Sequence, residues 1–69
     1  MYKEINELMN IAISKGDKMW LSELKGRAYM ATVFNAISEG EYYRLINKAN
    51  LEIMEIEVKE TLEHLNLIK

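Results

Sequence analysis

Seven charged side chains, Glu41, Arg44, Lys48, Glu52, Glu55, Lys59 and Glu63, follow one another at intervals of three or four residues. Wound at 100° per residue they stay within about 60° of one line, the signature of a single helix carrying a charged stripe. Residues 54–58 also alternate apolar and charged, as a half-buried strand does. A strand there would scatter the stripe, and it would need a turn near 49–52, where no Gly, Pro or Asn-Gly pair stands. The stripe therefore predicts one helix from Glu39 to about Leu65, roughly 40 Å long at 1.5 Å per residue. The start of that helix is marked independently. Ser38 and Glu41 have capping-box spacing, and Ile37 and Tyr42 occupy the positions of the accompanying hydrophobic staple.

A rod of that length leaves about half of a 69-residue chain to pack against it. There is no proline and there are three glycines, so propensity favours helix throughout. Tyr2, Ile5, Leu8, Met9 and Ala12 share one face of a first helix, expected over Tyr2 to Ser14. Lys15, Gly16 and Asp17 then supply a last-turn cation, a terminating glycine and an N-cap in order. A second helix is expected from Lys18 to about Ile37. Gly26 is a candidate break, because glycine costs about 1 kcal/mol against alanine inside a helix. Residues 28–38 carry no charge. Tyr29, Met30, Val33, Phe34 and Ile37 would cover more than one face there, which predicts burial at the centre of the fold or of an oligomer, with Trp20, Tyr29 and Phe34 in the core. The fold class is all-α: a single domain over 1–69, a small three-helix bundle with a long C-terminal helix, or four helices if Gly26 divides the second.

Composition narrows the function classes. With no Cys and one His, disulfides and the usual zinc ligand sets cannot be assembled within one chain. Glu60 and His64 stand four apart, but two ligands do not make a site, and a His near a helix C-terminus more simply interacts with the dipole. No metal and no cofactor is expected. There is no glycine-rich phosphate loop and no nucleophile–base set, so the chain reads as a non-enzyme. The net charge is −2. Residues 1–35 hold five basic against four acidic side chains, and residues 36–69 hold four against seven. That balance makes nucleic acid an unfavourable partner. No apolar run approaches the roughly 18 residues of a membrane span, and MYKEINELMN carries Glu4 and Glu7 where a signal peptide would be basic and then apolar. A cytoplasmic location is expected.

The long helix has apolar residues on two flanks. Leu45, Ile46, Ala49, Ile53 and Ile56 form one; Leu51, Met54, Val58, Leu62 and Leu65 form the other. Asn50, Glu57 and Thr61 run between them, opposite the charged stripe. That polar seam fixes register in an oligomer, as a buried Asn does in coiled coils, or it faces water between packed flanks. A helix apolar on two flanks outreaches the two helices the rest of the chain can supply. The expectation is a small protein-binding module or modulator that occupies a partner protein's surface and pairs with a second copy as a homodimer. Its apolar anchors would be Tyr42, Tyr43, Leu51, Met54, Val58, Leu62 and Leu65, with Glu52, Glu55 and Glu63 as a charged rim. The alternative is a small helix-turn-helix-like DNA-binding regulator. Ala36, Gly40, Ile46 and Ala49 have roughly that spacing, with Tyr42, Tyr43, Arg44 and Lys48 near the start of a recognition helix. Glu41 after the turn glycine and the acidic remainder of the helix depart from that pattern.

Overall fold

Ile5, Met9 and Ala12 recur at intervals of four and three, and the helix they specify, α1 (Tyr2–Lys15), buries all three. The computed structural model describes residues 1–68. α1 ends in a Schellman motif. Gly16 adopts the left-handed conformation, φ 62°, its N–H donates to the Ile13 carbonyl, and the Asp17 N–H donates to that of Ala12. Asp17 then caps the next helix, its carboxylate accepting from the Trp20 N–H at 3.0 Å. Two adjacent residues thus close one helix and open another, and the chain reverses.

α2 (Lys18–Val33) runs through Gly26 without a break, so there is no fourth helix among the described residues. It stops four residues short of the expected Ile37. Asn35 takes φ 59°; its N–H donates to the Thr32 carbonyl, and the Ala36 N–H to that of Ala31. This is a second Schellman motif with asparagine where glycine is usual. The signal was present in the sequence, but the apolar residues around it masked it. Ile37 lies outside the helix and is buried, leaving residues 34–38 as a short connection.

α3 (Glu39–Ile68) has 30 residues, about 45 Å. Its capping box is closed in both directions: the Ser38 hydroxyl accepts from the Glu41 N–H at 3.1 Å, and the Glu41 carboxylate accepts from the Ser38 N–H at 2.9 Å. The three helices run up, down and up. The start of α2 meets the far part of α3 through Lys18 and Glu60, and the end of α2 meets the start of α3 through Tyr29 and Tyr42. α1 lies alongside α3, with the Lys48 ammonium donating to the Asn6 side chain at 2.9 Å and also to that of Asn10. The core comprises Ile5, Met9, Ala12, Leu21, Leu24, Ala28, Ala31, Ile37, Leu45 and Ala49. Four of these are alanine, so the helices approach on short side chains, and Met9, Leu21, Leu24 and Leu45 supply most of the volume. The result is a rod of 50 × 17 × 14 Å whose long axis is that of α3.

Candidate docking surface on the third helix

The inner flank of α3 is the one the bundle uses. Leu45 and Ala49 are fully buried, and Ile46, Ile53 and Ile56 are half-buried, with Ile53 and Ile56 against the core. From Glu57 to Asn66 every residue is exposed. α1 and α2, at 14 and 16 residues, reach only about 21 and 24 Å, so the last turns of α3 extend past the core.

The outer flank is uncovered along its whole length. Leu51, Met54, Val58, Leu62 and Leu65 are each 50–62% exposed. At 100° per residue they fall within about 80° of one another, on the side of the helix opposite Leu45, Ala49 and Ile56. Their spacing of three and four residues is that of a knob row able to seat in a complementary surface. Tyr43 is exposed toward the N-terminal end of α3, whereas Tyr42 turns inward. Its ring meets that of Tyr29 edge-on at 6.3 Å and packs against the core. Tyr42 is thus a bundle residue, not an outward anchor.

The predicted rim divides in the same way. Glu55 borders the outer flank. Glu52 and Glu63 instead line a cleft facing Ile13 and Lys15 of α1, so two of the three rim carboxylates belong to the joint between α3 and the α1–α2 turn. Asn50, Glu57 and Thr61 are all exposed, and the Thr61 hydroxyl donates to the Glu57 carbonyl four residues back, at 2.9 Å. In the isolated chain the seam faces water. Two charged side chains of α3 make contacts across helices. Lys48 is drawn to Asn6 and Asn10, and Glu60 to Lys18 at 2.6 Å. That hydrogen bond, more than the surrounding carboxylates, raises the Lys18 ammonium above its ordinary pKa.

The structure also departs from the expected burial of residues 28–38. Ala28, Ala31 and Ile37 are buried, but Tyr29, Met30, Val33 and Phe34 are exposed, Phe34 at 74%. These residues decorate the end of α2, where α1 and α2 are too short and α3 too narrow to enclose them. Met30 and Phe34 instead line an open groove against α1, which sequence reasoning missed because an uncharged run reads as interior.

Among the described residues no helix is long and apolar enough to cross a membrane, and no three His, Cys, Asp or Glu side chains are grouped to hold a metal ion. Lys48, which the helix-turn-helix alternative sets near the start of a recognition helix, donates to Asn6 and Asn10 of α1. The chain matches no protein-family model, no curated protein and no solved structure.

Proposed function

We propose that this chain is a non-enzymatic protein-binding module that acts by occupying another protein's surface, and that it self-associates through α3. The carrying observation is the outer flank, five large apolar side chains in helical register on the face of α3 turned away from its own bundle. Lone exposed apolar residues are ordinary, but a contiguous row is characteristic of an interaction surface. The inner flank holds α3 up to Ile56, so Leu51 and Met54 are presented already ordered, and Val58, Leu62 and Leu65 continue the row on the projecting helix end. The acidic balance of the second half of the chain disfavours duplex DNA as the partner.

Light scattering over a concentration series tests this. The wild-type chain is expected to shift from monomer to a larger species as concentration rises, and Val58→Glu, which places a charge mid-row without touching the core, is expected to stay monomeric with helix content unchanged. The same variant used as bait should lose the proteins that the wild-type chain retains from its source cell. Identical behaviour of the two forms in both measurements would falsify the reading.

A further inference from the structure

Arg44, Lys48 and Glu55 border the outer flank of α3, and among the described residues none of them forms an ion pair within the chain. The Lys48 ammonium is held by the neutral side chains of Asn6 and Asn10. These occupy two of the three N–H groups of a lysine and leave its charge uncompensated. The imbalance runs along the helix. Residues 44–51 hold Arg44 and Lys48 and no acid, whereas residues 52–63 hold five Glu against one Lys. At 100° per residue the line of the flank continues toward the N-terminus through Asn47, Arg44 and Tyr43, all exposed. The outward face of α3 is thus basic and polar at one end, apolar at its middle, and edged with acid toward the other end.

We propose that the partner of this face is the same face of a second copy, run antiparallel about a two-fold axis between Leu51 and Met54. The inference rests on the self-association proposed above and names its orientation and register. Leu51 then stands opposite Met54 of the second copy, Val58 opposite Asn47, and Leu62 opposite Tyr43. Along one edge Lys48 meets Glu55, and along the other the Asn50 amide donates to the Glu57 carboxylate; the symmetry makes each contact twice. Residues flanking the apolar row of paired helices set their orientation, and the charges here distinguish the arrangements. A parallel pair sets Arg44 on Arg44 and lays the two acidic segments side by side. An antiparallel pair slid one heptad toward the C-termini sets Glu55 on Glu55 and Glu57 on Glu57. The register centred between Leu51 and Met54 avoids these like-charge contacts and brings opposite charges together. Area agrees with it. A two-fold contact joins a patch to itself, so the two sides match in size, and the flank with Tyr43 and Asn47 buries on the order of 1,000 Å² in total, the low end of specific interfaces.

The chain has no Cys, so introduced thiols report the register directly. Asn47 and Val58 are exposed, and Asn47→Cys mixed with Val58→Cys should give a disulfide-linked heterodimer under mild oxidation. Either variant alone should give almost none, because like positions lie about 16 Å apart along the paired helices, well beyond the roughly 7 Å that a disulfide allows between Cα atoms. Glu55→Lys sets lysine against Lys48 of the second copy and should weaken the wild-type dimer roughly tenfold by light scattering; in a parallel pair the same change relieves acid-on-acid repulsion and tightens it. Efficient cross-linking of Val58→Cys with itself, a mixture that fails to cross-link although the proteins are dimeric, or a Glu55→Lys dimer as tight as wild type or tighter would each overturn the antiparallel register while self-association stands. A wild-type chain that is monomeric at every concentration removes the self-association reading together with this one.

Discussion

Asn35 sets where α2 stops. A left-handed backbone costs an ordinary L-residue roughly 1–2 kcal/mol, and asparagine tolerates it better than most. Asn35→Gly should therefore hold or raise stability, and Asn35→Val should lower it by about 1–2 kcal/mol, read from urea midpoints at constant slope. Gly26 tests the opposite case. Its surroundings are open and its backbone helical, so Gly26→Ala is expected to stabilise the dilute monomer by about 0.5–1 kcal/mol. A destabilised alanine variant would mean that the space beside Gly26 is not free in solution. Ser38 bears on α3 alone, and Ser38→Ala should cost about 1 kcal/mol through the lost cap.

Within α3 the two halves differ in what holds them. Up to Ile56 the helix is packed against α1 and α2; beyond it, Lys18–Glu60 is a tether across helices. A helix end of about 12 residues is marginal in water on its own, so amides from Glu57 to Asn66 should exchange with solvent before those of residues 42–56. The tether carries a definite pH dependence. Lys18 has a folded-state pKa above its ordinary 10.5, so its contribution is complete below that value and disappears as pH rises through the elevated one. Helicity of the wild-type chain should fall in that alkaline range by a step that Lys18→Met lacks; superimposable titrations would show that the tether does not hold the helix end. The same division explains what the sequence made legible. Periodic charge and a capping box read out α3, and Gly16 with Asp17 read out the α1–α2 turn, because those signals are local. The end of α2 and the inward turn of Tyr42 depend on which neighbours exist to cover an apolar residue, and an uncharged run such as 28–38 does not encode that. The position of Glu52 and Glu63 around the helix is likewise legible and suggests a rim, whereas the α1–α2 turn they face is a product of the assembled bundle.

For the molecule as a whole, ten of the described residues form the buried core and 13 described large apolar side chains remain exposed, from Met1 ahead of α1 to Leu65 on α3. A chain this short is marginal on its own burial. Truncating one of the fully buried residues, as in Leu24→Ala, costs about 2–5 kcal/mol, comparable with the whole stability of a small domain. Association changes that balance by mass action, because a partner that binds only the folded form stabilises it by an amount that grows with partner concentration. The melting temperature of the wild-type chain should therefore climb between micromolar and millimolar protein. Val58→Glu should melt close to the dilute wild-type value at every concentration, since position 58 is exposed and glutamate favours helix. A substitution that lowered the dilute melting temperature as well would point to a role for Val58 inside the monomer. A wild-type melting temperature independent of concentration would mean that the outer flank contributes nothing to folding through self-association, leaving its apolar row to a different protein.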